Sequence, residues 1–164
     1  MATFAADHIG KFDYALEVSG GSIPRSHCSE TYSPSSSTIR LFGLALWHYS
    51  NSPRTVIQAS VLPGECWAFK GSKGFVVVRL ADDIKISEVS VEHIPKMLSP
   101  TNNIASAPKE FEILVSPALD ENPKSVGNFT YNGKTAVETF RIKVYCTGYS
   151  TRFMETILLY ISDI

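Results

Sequence analysis

The chain has 164 residues, 44% of them hydrophobic and 19% charged, with a formal net charge of -1. That length allows one domain with a real core, and the composition is globular rather than disordered. With no basic surplus to neutralise phosphates, nucleic acid is not an expected partner.

In chain order, Ala5 to Leu16 reads as a short lead helix, because Ala5, Ala6, Ile9 and Phe12 fall roughly on one face, and Gly20-Gly21 ends it. The biased stretch Ser33-Pro34-Ser35-Ser36-Ser37-Thr38 reads as a loop. Beyond it the chain reads as strands. Lys73 to Leu80 (KGFVVVRL) is a continuous β-branched run of the kind that forms a buried strand. Val89 to His93 alternates apolar with polar residues, and Phe111, Ile113 and Val115 in EFEILV place one face inward. Asn128 to Tyr131 and Thr135 to Ile142 flank Asn132-Gly133, a dipeptide that accepts φ > 0 and predicts a tight hairpin. Pro53, Pro63, Pro95, Pro100 and Pro108 punctuate the loops. Many short strands with turn signals predict an all-β, antiparallel sandwich.

No stretch of eighteen apolar residues occurs, and the start shows no charged segment followed by an apolar one. No heptad pattern appears either. A membrane span, a secretory signal and an oligomerising stalk are therefore not expected in this segment; if the domain works in a lumen, another part of a longer chain must carry it there. The three cysteines, Cys28, Cys66 and Cys146, fit two readings. In an oxidising compartment the odd count leaves one thiol for an outside partner; in a reducing one all three are buried thiols. Ser, His and Asp are present, but no G-x-S-x-G elbow, no H-E-x-x-H motif and no carboxylate pair is found, so the chain does not read as an enzyme.

A long ordered set of motifs carries a family resemblance. Asp13-Tyr14-Ala15-Leu16 is followed by Ser19-Gly20-Gly21 and Cys28-Ser29-Glu30-Thr31-Tyr32. Then come Leu41-Phe42-Gly43 with Leu46-Trp47, Ser52-Pro53-Arg54, and Pro63-Gly64-Glu65-Cys66-Trp67-Ala68-Phe69. Gly74 to Leu80, Glu92-His93-Ile94-Pro95-Lys96 and Ser106-Ala107-Pro108-Lys109 complete the series. With these the chain resembles SUN domains from about Asp13 to Ile142. The resemblance implies a SUN-type, galactose-binding jelly-roll-like sandwich with a protruding lid hairpin. It divides the chain into a lead helix over 1–17, a sandwich over 18–142 with a lid at 37–53 and a cation loop at 55–66, and a tail at 143–164. It further implies a homotrimer assembled through an upstream coiled coil. Such a trimer sits in the perinuclear lumen at the inner nuclear membrane and binds the C-terminal tail of KASH proteins, tethering the nucleus to the cytoskeleton in the LINC complex.

Site residues follow from the same resemblance. Leu41, Phe42, Leu44, Leu46 and Trp47 match the lid that a tail peptide covers; read alone, they equally suit the domain's own core. Gly74, His93 and Ser106 match the pocket for the last tail residues, where a terminal carboxylate needs donors and a close backbone. Cys28 matches the cysteine that bonds a tail cysteine. Cys66 matches one half of an intrachain disulfide, with the partner missing here. The main-chain carbonyls of Thr55, Gln58, Ser60 and Glu65 match a monovalent cation site that suits K⁺, Ser60 standing where relatives often carry Asp. The sequon Asn128-Phe129-Thr130 begins a strand and is expected to be unused.

After Ile142 the pattern stops. In place of the family's closing strand, with its Ser-Trp turn, pocket tyrosines and last cysteine, stands VYCTGYSTRFMETILLYISDI. Plausible codons for Val144 to Met154, read one base later, can spell YIVLDILLDSW, which resembles the absent strand. The expectation is a frame-shifted or misjoined ending that leaves its neighbouring strands unpaired, with the apolar run Met154 to Ile164 (METILLYISDI) filling the gap only in part and without the right register. Two further readings stand beside tail binding: a lectin-like sandwich using Trp47 or Trp67 to stack on a sugar, and a truncated isoform unable to bind KASH tails.

Overall fold

The computed structural model describes residues 10–25, 27–33, 38–41, 44–48, 51–100, 102–119, 121–142 and 151–157, with the backbone alone for 38–41, 44–48 and 151–157. Among the described residues eight strands run in chain order: β1 (Thr38–Leu41), β2 (Leu44–His48), β3 (Phe75–Ile84), β4 (Glu88–Glu92), β5 (Glu110–Ser116), β6 (Lys124–Thr130), β7 (Val137–Arg141) and β8 (Thr151–Ile157). They form a four-stranded sheet in the order β3-β8-β5-β6, a two-stranded sheet β4-β7 and a separate two-stranded sheet β1-β2, every pair antiparallel.

The core lies between the first two sheets. Alternation along β5 buries Phe111, Ile113 and Val115, with Ile113 at 0% exposure, while Glu110 and Glu112 face out. Val78 and Leu80 of β3 and Val126 of β6 join them, and Val89, Val91 and Phe140 pack on from the β4-β7 side. Phe111, Phe129 and Phe140 form a ring cluster with centroids 5.2–5.8 Å apart, which couples the two sheets. The predicted all-β sandwich is the fold found.

Three expectations are corrected. Residues 10–16 carry no helical turn; the rest of the predicted lead helix lies outside the described residues. The reason is local. Asp13 Oδ1 accepts from the backbone N–H groups of Ala15 and Leu16, an Asx-type turn that competes with helix, and a 3-10 turn (Glu17–Ser19) follows, closed by Gly20 at φ 110°.

Asn132-Gly133 does not close a hairpin. β6 pairs with β5 and β7 with β4, so the segment is a corner that carries the chain from one sheet to the other. Gly133 takes φ 65°, but the Glu138 carboxylate accepts from the N–H groups of Asn132 and Gly133, and the buried Tyr131 hydroxyl donates to the carbonyls of Thr135 and Ala136. These bonds hold the loop against Tyr131 and turn β7 away from β6.

The neighbours of the expected missing strand are not left open. Thr151–Ile157 enters between β3 and β5 as β8, with Met154 opposite Val78 on one side and Val115 on the other. Two strands facing each other across a gap offer rows of unpaired N–H and C=O groups, and a segment of adequate length satisfies both rows by taking the extended form.

Candidate functional site: lid, pocket pair and cation loop

Each group of predicted site residues has a definite place. β1 and β2 form a hairpin that pairs with no other described strand. Its register sets Ile39 opposite Trp47 and Arg40 opposite Ala45, so Leu46 is the extra residue of a bulge. Leu41, Leu44, Leu46 and Trp47 therefore lie in the hairpin strands. Their side chains, and the whole of Phe42, lie outside the described residues.

His93 continues the β4 line, its N–H donating to the Ala136 carbonyl at 2.9 Å. Its Nε2 lies 3.2 Å from Ser106 Oγ and its Nδ1 3.0 Å from the Ile94 carbonyl oxygen. Two residues thirteen apart in sequence are thus joined as a hydrogen-bonded pair, with Ser106 exposed and the Tyr131 ring centroid 6.5 Å from the imidazole. Burial, followed by the charges of Glu138 and Glu92, pushes the Tyr131 phenol up, so its hydroxyl keeps the proton it donates to the corner. Beside Tyr131 opens a cleft of about 230 Å³ lined by Ile104, Ala107, Lys109, Glu110, Thr130 and Asn132.

Gly74 lies on the segment that leads into β3. It is buried, and the atoms nearest a Cβ there all belong to the Phe69 ring, 2.5–2.8 Å away. Its local task is to admit that ring into the small cluster of Trp67, Phe69 and Val76. Cys28 packs against the same cluster, bridged to Val76 across the sheet edge. Burial pushes its thiol up. Trp67 is 8% exposed and its Nε1 donates to Thr31 Oγ1 at 3.0 Å, so its faces are not open to a sugar.

The cation loop is clasped at both ends. Asn51 Nδ2 donates to the carbonyls of Gly64 and Cys66, at 2.5 and 2.8 Å. A 3-10 turn (Pro53–Ile57) opens the loop, and Glu17 ties that turn to the N-terminal one through Arg54 Nε at 2.7 Å and Gln58 Nε2 at 3.1 Å. The Gln58 amide and then the Arg54 guanidinium hold the Glu17 carboxyl below its ordinary range. The Thr55 carbonyl accepts from the Gln58 N–H at 3.3 Å. Among the described residues no three His, Cys, Asp or Glu side chains are grouped as metal ligands. Cys66 is exposed, and among the described residues neither it nor Cys28 is in a disulfide. The sequence reading missed Asn51, Glu17 and Tyr131. Only the last carried a signal, an aromatic residue directly before a predicted turn.

The described residues thus form an antiparallel sandwich with a separate hairpin and a hydrogen-bonded His93–Ser106 pair beside one corner. Its likeness to solved structures lies in fold. It superposes on allantoicase from Saccharomyces cerevisiae with a TM-score of 0.58 at 10% identity, covering 90% of this chain and 39% of that one. It superposes equally on the family 32 carbohydrate-binding module from Streptococcus pneumoniae EndoD, with a TM-score of 0.58 at 10% identity and coverage of 87% and 84%.

The model of the Sad1 / UNC-like C-terminal family matches residues 46–158, and the chain belongs to that family. It is 48% identical over 133 residues to human SUN domain-containing protein 1, covering 80% of this chain and 17% of that protein. It is 40% identical to the Klaroid protein of Drosophila melanogaster, covering 83% and 14%. Against the Nuclear migration and anchoring protein unc-84 of Caenorhabditis elegans it is 34% identical over 157 residues, covering 93% and 14%. The chain thus spans 14–17% of the length of these relatives. The family match runs past Ile142 and takes in β8.

Proposed function

We propose that the domain is a non-catalytic module of the nuclear envelope that receives the C-terminal tail of a KASH protein in the perinuclear space. The observation that carries this reading is the β1-β2 hairpin, standing as its own sheet on a sandwich of the Sad1 / UNC-like family. An extended tail can add to its edge through main-chain hydrogen bonds, with alternate side chains seated in pockets. The His93–Ser106 pair suits the end of such a tail, since imidazole and hydroxyl can both donate to a carboxylate. The name of the unc-84 relative, a nuclear migration and anchoring protein, agrees with a tether under load. In this reading the module is a homotrimer through an upstream coiled coil, attached to the inner nuclear membrane by another segment. K⁺ held by the carbonyls of Thr55, Gln58, Ser60 and Glu65 stiffens the loop.

Cys28 locks the joint by a disulfide to a tail cysteine, the two thiols giving up two protons and two electrons to a disulfide-bearing oxidant of the lumen, which is reduced to its dithiol. Because burial raises its thiol pKa and the thiolate is the nucleophile, capture is slow at neutral pH and quickens as pH rises. A cysteine-bearing tail peptide is expected to give a covalent band on a non-reducing gel, which Cys28→Ser removes while noncovalent binding persists. A band unchanged in Cys28→Ser moves the role to another cysteine, and no band with no binding sinks the reading.

A further inference from the structure

We propose that Asn128 carries an N-linked glycan. The sequon Asn128-Phe129-Thr130 begins as a poor acceptor on paper, because it lies in a strand. The strand is β6, however, at the edge of the four-stranded sheet. The pairing of Ile113 with Gly127 and of Leu114 with Ser125 leaves Val126 as the extra residue of a bulge. That bulge resets the alternation: Val126 and Phe129 turn inward, and Asn128 and Thr130 are both exposed on the outer face. Gly127, at φ 150°, makes the reset possible, since a Cβ there would come within 2.9 Å of the Phe129 ring. Asn128 stands opposite Glu112 and Thr130 opposite Glu110, so the sequon occupies a polar strip that no core packing requires.

The chemistry needs the amide nitrogen and the Thr130 hydroxyl on one side of an accessible backbone, which this face provides. A lipid-pyrophosphate-linked oligosaccharide is the donor. Asn128 Nδ2 forms a bond to the anomeric carbon of its first N-acetylhexosamine, the bond from that carbon to the pyrophosphate oxygen breaks, the lipid pyrophosphate leaves with the electron pair, and the amide nitrogen loses a proton. A glycan here keeps the outer face of β5-β6 in solvent and shields the open edge of β6 from pairing with another chain. The proposal rests on the lumenal reading above, since the transfer takes place on the lumenal side of the membrane.

The test uses the protein expressed in its own cells, treated with an endoglycosidase that removes N-linked chains and followed by gel mobility. Three versions are compared: the unaltered protein, Asn128→Gln, and Ala105→Thr, which creates a control sequon at the exposed Asn103. The expected result is a one-glycan shift in the unaltered protein, its loss in Asn128→Gln, and a second shift in Ala105→Thr. A shift only in Ala105→Thr overturns the glycan at Asn128 and leaves the lumenal location standing. No shift in any version overturns both.

Discussion

Met154→Pro is expected to abolish cooperative unfolding. Residue 154 lies in a strand paired on both sides, to Val78 of β3 and Val115 of β5. Its N–H points to one neighbour or the other, and proline has none to give. Proline is excluded from central strands because it removes a ladder hydrogen bond, and each polar group left buried without a partner costs roughly 1–3 kcal/mol. Loss of pairing on both sides of β8 leaves several such groups, which is comparable with the stability of a small domain, roughly 5–15 kcal/mol. Met154→Ala keeps the N–H and serves as the control, with a smaller loss expected. Thermal unfolding followed by circular dichroism measures both. A Met154→Pro protein that melts within a few degrees of the unaltered one would remove Thr151–Ile157 from the sheet, and the expectation of an open gap between β3 and β5 would return.

The second large effect is on binding. Leu46→Asp with Trp47→Asp places two carboxylates in β2 of the hairpin, one of them on the bulge residue. A two-stranded hairpin is marginal by itself, and in the proposed function a bound tail and a neighbouring protomer supply its apolar cover. Disrupting an interface hot spot costs about 2 kcal/mol or more, so two of them weaken binding on the order of a thousandfold. The melting temperature should hardly move, because the buried core of Val78, Leu80, Phe111, Ile113 and Val115 belongs to the other sheets. Tail affinity measured by anisotropy, next to a melting curve, separates the two effects. Binding retained in a folded double variant takes the role away from the lid.

How far the sequence alone reached depended on how local each signal was. The runs that became β3, β4 and β5 were legible because burial on one or both faces writes itself into the spacing of apolar residues, as at Val76-Val77-Val78 and Phe111-Ile113-Val115. The Asn132-Gly133 corner was misread because the dipeptide announces a turn but not which strands follow it: the Tyr131 hydroxyl and the Glu138 carboxylate hold the loop, and β7 pairs with the distant β4 instead of β6. The helix read through 10–16 failed at Asp13, whose short side chain competes for the N–H groups a helix would use. β8 was the hardest to see. TRFMETI has no motif of a closing strand, and its place comes from the demand of β3 and β5 for backbone partners. Of the site, His93 and Ser106 were paired by resemblance and are joined in space by a hydrogen bond. Gly74 was assigned to the same pocket by resemblance; its close approach to the Phe69 ring is a packing demand that no spacing rule announces.

The central claim, that this domain receives a peptide's C-terminal tail, is tested most directly by titrating it, fused to a trimeric coiled coil, with one tail peptide made as free acid and as C-terminal amide. The account predicts saturable binding of the acid. The amide should be weaker by about tenfold or more, because a hydrogen bond to a charged group contributes roughly 1.5–3 kcal/mol. Equal affinity for the two forms, or no binding of either, would contradict it.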